Sequence, residues 1–158
     1  MLKIITSVSQ LNIPQFLSVY AQSTGGDSRK ENDLLIYLEE DFFRQKDAIY
    51  ALWVVDDVYC SALRLEPYRN GLLLQALETA PADRRKGFAN LLLTEVLEYL
   101  RTRGYTGVYS HIAKNNRASI GLHQKCGFSQ VSDSARLLDG TVSQKFCTMY
   151  IALKITDS

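Results

Sequence analysis

Between Ile49 and Thr79 three β-rich runs follow one another with only short turns between them. The runs IYALWVV, VYCSALRLE and LLLQALET are separated only by Asp56-Asp57 and by Pro67-Tyr68-Arg69-Asn70-Gly71. Such runs favour strands, and their polar turns are too short to hold a crossover helix. Consecutive runs must therefore pair antiparallel, as a meander. A sheet with an apolar face needs a covering layer, so the segments on either side have to supply helices.

They do. Residues 2 to 6 (LKIIT) read as a short strand, and Asn12-Ile13-Pro14 opens a helix, with Asn12 as N-cap and Pro14 in the first turn. STGGDSRKEN, residues 23 to 32, reads as a loop, and NDLLIYLEEDFFRQK as an amphipathic helix carrying Leu34, Leu35, Leu38, Phe42 and Phe43. After the meander, Gly87 to Arg103 gives a helix with Phe88, Leu91, Leu92, Val96 and Leu100 on one face and Gly104 as its stop. GVYSHI is a strand, NRASIGLHQKC a short helix ended by Gly127, and FSQVSD and KFCTMYIAL are two closing strands. The order β, α, α, β-β-β, α, β, α, β, β is α+β, and no linker or repeat divides the 158 residues, so 1–158 reads as one domain.

Composition narrows the function. A formal net charge of +1 argues against a protein that coats nucleic acid, where phosphate contacts demand a basic surplus. Cys60, Cys126 and Cys147 are odd in number and far apart, without the spacing of a zinc site or a disulfide framework. No apolar run approaches the ~18 residues of a membrane span. These features predict a soluble cytoplasmic protein that needs neither metal nor membrane.

The densest chemistry lies at ALETAPADRRKGFANLLL, residues 76 to 93. Arg84, Arg85 and Lys86 stand directly before a helix whose first amides have no intrahelical partner and whose dipole already favours an anion. Gly87 lets a backbone approach closely, and Ala89 keeps the next turn small. A solvated basic turn has the same composition. The stretch lacks the GK[ST] of a P-loop and the G-x-G-x-x-G of a dinucleotide fingerprint.

Arg84-Arg85-Lys86-Gly87-Phe88-Ala89 resembles the Arg/Gln-x-x-Gly-x-Gly/Ala signature of the GNAT N-acetyltransferase superfamily, with Pro81 three residues ahead of it. NRASIGLHQKCGF, residues 116 to 128, resembles that family's second signature, Asn-x-x-Ala/Ser-x-x-Leu-Tyr-x-x-x-Gly-Phe. The resemblance implies a mixed, mostly antiparallel central sheet of about seven strands flanked by about four helices. It also identifies the expected anion as the pyrophosphate of acetyl-CoA, held by the amides of Arg85 to Ala89 with Arg84 beside them. The pantetheine arm would bond to the main chain of Leu77 and Thr79. Asn116 resembles the residue that contacts that arm, and it is equally placed to cap its helix.

Acetyl transfer to an amine requires a deprotonated nucleophile, since an alkyl ammonium holds its proton up to a pKa of about 10.4. It also requires a donor for the thioester oxygen and a proton for the departing thiolate. Glu78 lies near the position from which many family members present a carboxylate base; a solvent-facing strand residue is the alternative. Where the family commonly has a tyrosine as general acid, this chain has His123, which is open to a role as acid, as base or as packing. His111 could face the acceptor cleft or sit satisfied in the sheet, and Tyr109 on the same face reads as packing. Cys126 shares a helix face with His123 and reads as core. Met149 and Tyr150 read as ordinary strand residues.

In this family the N-terminal helices, their loop and the hairpin loops choose the acceptor. Here these are STGGDSRKEN, Glu39-Glu40-Asp41 and Glu66-Pro67-Tyr68. The acceptor is a small-molecule or peptide amine of open identity. Some family members pair through their C-terminal strands, so the resemblance admits a homodimer. Three functions follow: an acetyl-CoA-dependent N-acetyltransferase first, a catalytically silent acyl-CoA-binding sensor of the same fold second, and a binder of some other phosphate third.

Overall fold

A computed structural model describes residues 1–154. Its strands are β1 (Leu2–Ile5), β2 (Ile49–Val55), β3 (Val58–Tyr68), β4 (Gly71–Thr79), β5 (Gly107–Ala113), β6 (Ser129–Ser132), β7 (Ala135–Arg136), β8 (Val142–Ser143) and β9 (Phe146–Ala152). The helices are α1 (Ile13–Val19), α2 (Ala21–Thr24), α3 (Ser28–Tyr37), α4 (Phe88–Thr102) and α5 (Arg117–Lys125). Seven strands form one sheet in the order β1-β2-β3-β4-β5-β9-β6, mostly antiparallel, and β7 and β8 form a separate ribbon. The fold is α+β, as the sequence implied.

The chain divides into two compact units, residues 1–66 with 76–96 and residues 67–75 with 97–154. In the first, β2 and β3 pair antiparallel as the first hairpin of the expected meander, with Tyr50 opposite Arg64, and β1 adds antiparallel to β2, with Ile4 opposite Ala51. Asp56 and Asp57 both adopt left-handed backbone, φ 49° and 65°, the geometry that lets a two-residue turn follow the twist of its strands. Phe16, Tyr20, Leu38, Phe42, Tyr50 and Leu52 are buried as one cluster beneath the helices. Phe16 and Tyr50 meet edge to face at 5.1 Å, an arrangement worth about 0.5–1.5 kcal/mol beyond area burial.

In the second unit, β5 pairs with β9 over its whole length, and β6 pairs with the other edge of β9. The start of β4 pairs parallel with β5 from Leu72↔Val108 to Leu74↔Ser110. A Cβ on Gly107 would collide with the Tyr150 hydroxyl and ring, so the tyrosine occupies space that only glycine leaves free.

Three sequence expectations change. The stretch at 23–32 is not one loop: α2 occupies its first residues, Gly25 and Gly26 turn the chain, and α3 begins at Ser28 with Asp27 capping the Arg29 amide. The helix ends in a π-helical turn, Leu38–Phe42, which buries Leu38 and Phe42. On α4 the buried stripe is Leu92, Leu93, Val96, Leu97 and Leu100, while Leu91 is 43% exposed. Three consecutive leucines, Leu91 to Leu93, open the stripe, so the apolar face can shift by one position there.

Candidate functional site

Most of the expected residues lie in the first unit, at the end of β4 and in the loop that follows. The ladder from β4 to β5 stops at Leu74, and Ala76 then adopts left-handed backbone, φ 55°. An alanine with positive φ inside a strand is strained, at a cost of roughly 1 kcal/mol or more. Tyr20 spans this bulge, its hydroxyl donating to the Ala76 carbonyl at 2.7 Å. Tyr50 in turn donates to the Tyr20 oxygen at 2.8 Å.

Beyond the bulge β4 stays attached to β3. The Ala80 amide donates to the Cys60 carbonyl at 2.8 Å, and the Ser61 hydroxyl donates to the Glu78 carbonyl at 2.8 Å. Main-chain groups of a strand alternate between its two edges. With Glu78 and Ala80 directed at β3, the amides and carbonyls of Leu77 and Thr79 point to the opposite edge, where no ladder pair forms among the described residues. A strand edge without ladder pairs can bond an extended amide chain.

Glu78 is half-buried on this stretch. Burial pushes its carboxyl above the usual range, and the Ser23 hydroxyl and Arg84 only partly offset that. A carboxylate raised toward neutrality is a stronger base than one in free solution.

A short 3-10 turn, Pro81–Asp83, carries the chain into the basic loop. Arg84, Arg85, Lys86 and Gly87 are all exposed. Arg85 and Gly87 are left-handed, φ 63° and 81°, so two reversals within three residues curl the backbone. At the start of α4 the Leu91 amide donates to the Gly87 carbonyl at 3.1 Å, so Phe88 and Ala89 stand in the first turn, where helix amides precede the i to i−4 ladder. Lys86 pairs with Asp83 at 3.4 Å, and Arg84 Nε lies 3.5 Å from the Thr79 carbonyl. Curled backbone, a helix start and three exposed cations fit a pyrophosphate.

Asn116 and His123 belong to the second unit, at the start and end of α5. Asn116 caps the helix, its side chain accepting from the Ser119 amide at 3.1 Å. His123 is 1% exposed. Its Nδ1 donates to the Ser119 carbonyl at 2.7 Å, which fixes the tautomer because a carbonyl can only accept. Nε2 is buried and unpartnered. Burial lowers the imidazole's pKa, so the ring is neutral at pH 7 and its free nitrogen accepts protons instead of donating them. Among the described residues no carboxylate pairs with it to restore an acid.

On β5, Tyr109 packs against Tyr68 and donates to Asn70 Oδ1 at 3.0 Å, while His111 packs against Tyr68 with Nε2 buried and unpaired. The sequence reading missed Tyr20 and Ser61, which hold the end of β4. Nothing in their spacing marks them, because both act on strand backbone distant in sequence.

The family model described as "Acetyltransferase (GNAT) family" matches residues 8–128. Streptothricin acetyltransferase of Streptomyces lavendulae is 23% identical over 93 residues, a match covering 59% of this chain and 49% of that protein. The chain thus spans about half the length of that curated relative. The ribosomal-protein-S18-alanine N-acetyltransferase of Escherichia coli superposes with a TM-score of 0.68 at 15% identity, covering 99% of this chain and 97% of its own. The spermidine N-acetyltransferase of Vibrio cholerae, solved with CoA and spermine, superposes at 0.67 with 17% identity, covering 96% and 95%. At such identities the structures share the fold.

Proposed function

The chain belongs to the acetyltransferase (GNAT) family, and from that premise we propose that residues 1–158 act as one cytoplasmic N-acetyltransferase domain moving an acetyl group from acetyl-CoA to a primary amine. The observation that carries this reading is the stretch of β4 at Leu77 and Thr79 beyond its last ladder pair with β5, followed at once by the left-handed curl at Arg85 and Gly87 and the start of α4. Acetyl-CoA supplies the thioester; the amine nitrogen bonds to its carbonyl carbon as the carbon–sulfur bond breaks. The main chain of Leu77 and Thr79 bonds the pantetheine arm, and Arg84, Arg85 and Lys86 with the amides up to Phe88 and Ala89 hold the phosphates. Asn116 contacts the arm from α5.

Glu78 takes the proton of the ammonium, directly or through water, and its raised pKa suits it to that work. His123 stands where the family commonly has a tyrosine acid. As a neutral ring with Nδ1 engaged it accepts at Nε2, and the departing sulfur takes its proton from solvent. The acceptor is a small-molecule or peptide amine; the relatives are named for streptothricin, for alanine of ribosomal protein S18 and for spermidine.

Titration calorimetry with acetyl-CoA, paired with thiol release over a panel of primary amines, tests this. Binding with release supports the transferase. Binding without release on any amine favours the second reading, a silent acyl-CoA sensor, for which the buried neutral His123 is the favouring observation. Absence of binding sinks both.

A further inference from the structure

The second unit holds a cavity of about 330 Å³ whose lining includes Arg69, Arg136, Tyr109, Tyr150, Ser134 and Val142. No residue assigned to acetyl transfer lines it. Arg69 and Arg136 are both among its lining residues, and among the described residues neither lies within salt-bridge distance of a carboxylate. The acidic side chains of this region are engaged elsewhere: Asp133 pairs with Lys114 at 3.3 Å, and Asp139 accepts from the Thr141 hydroxyl at 2.6 Å. The positive charge is felt nearby, since Arg69 adds to burial in lowering the pKa of His111.

The cations are held in place. Arg69 sits at a left-handed position, φ 50°, with its guanidinium 5.4 Å from the Tyr68 ring and 5.6 Å from the Tyr109 ring. Arg136 lies on the β7–β8 ribbon, its Nη1 donating to the Gly140 carbonyl at 3.0 Å. Tyr68 fastens that ribbon by donating to the Arg136 carbonyl at 2.7 Å, and Thr148 does the same to the Ser134 carbonyl at 2.7 Å. Tyr109 and Tyr150 also line the cavity, with ring centroids 4.6 Å apart, and Val142 adds an apolar wall.

Guanidinium forks without counterions call for a carboxylate or phosphate, and aromatic walls call for a flat apolar body. The volume is at the small end for ligand pockets, which run from about 300 to 1,000 Å³. We propose that this cavity binds a small organic anion, a carboxylate or phosphate ester carried on a flat apolar group, with Arg69 and Arg136 on the charge and Tyr109 and Tyr150 on the body.

Calorimetric titration of the full chain with benzoate, phenyl phosphate, inorganic phosphate and benzyl alcohol tests it. Saturable binding of benzoate or phenyl phosphate is expected below about 10 mM, with benzyl alcohol at least about tenfold weaker. Preference between the two aryl anions assigns the head group. Arg69→Gln and Arg136→Gln should each weaken that anion about tenfold while leaving acetyl-CoA affinity unchanged. Should Arg136→Gln disturb the ribbon, Arg69→Gln alone decides. No saturable binding of either aryl anion, equal binding of benzyl alcohol, or indifference to Arg69→Gln overturns the proposal. Inorganic phosphate binding as tightly as phenyl phosphate overturns the role of the tyrosine walls.

Discussion

The hydroxyl of Tyr20 donates to the carbonyl of Ala76 at 2.7 Å, tying the cap of α1 to the left-handed residue at which β4 leaves its ladder. Tyr20→Phe removes that donor and also the acceptor of Tyr50. Orphaned buried polar groups cost about 1–3 kcal/mol, readable as a fall in the urea midpoint. If the bulge aims a main-chain amide at the thioester oxygen, kcat also falls, by about tenfold, with little change in acetyl-CoA affinity. A stability loss with unchanged kcat would leave Tyr20 a structural residue only.

Glu78→Gln should lower kcat/KM by about two orders of magnitude, the usual scale of a positioned base. Because burial raises the Glu78 pKa, the wild-type rate should fall on the acid side at a pH above the ordinary carboxylate range, and the variant should lack that limb. The stability sign is opposite to that of a salt-bridged carboxylate. A raised folded pKa favours the protonated group, so its contribution is present at low pH and lost as pH rises through the folded value. At neutral pH the variant should therefore melt no lower than wild type.

His123 works the other way. Its folded pKa is depressed by burial, so below about 6.5 the unfolded chain binds a proton that the folded chain refuses. Stability is lost as pH falls through that window. Urea midpoints at pH 7.5 and 5.5 should differ less in His123→Phe than in wild type. An identical difference in both would mean the imidazole charges freely in the folded protein.

Gly87→Ala tests the loop. A Cβ at this position meets no atom within 4 Å, so the substitution acts through φ 81° alone. Placing alanine there costs about 1–2 kcal/mol. If relaxation moves the amides of the curl, acetyl-CoA affinity falls by about tenfold, measured by calorimetry. Unchanged affinity would detach Gly87 from phosphate binding.

The meander and the basic loop were legible because each is a local signal: short polar turns between β runs, and cations against a helix start. The early start of α3 was hidden because its first turns are polar and exposed, SRKEND, and carry no apolar period. The Asp27 cap before them was nevertheless there to be found. The β7–β8 ribbon also left a mark, Asp139-Gly140 between ARLL and TVS, the dipeptide of a tight hairpin turn. Ala76 left none. An alanine gives no warning of positive φ, and the tyrosine that steadies it lies 56 residues away.

Gly107 sets what descendants of this chain can inherit. Any side chain there would displace the Tyr150 ring, and with it one wall of the cavity beside β5. A lineage that replaced this glycine would change no residue of the basic loop or of the end of β4. The two sites can thus drift apart in evolution through a single codon, one surviving where the other is erased.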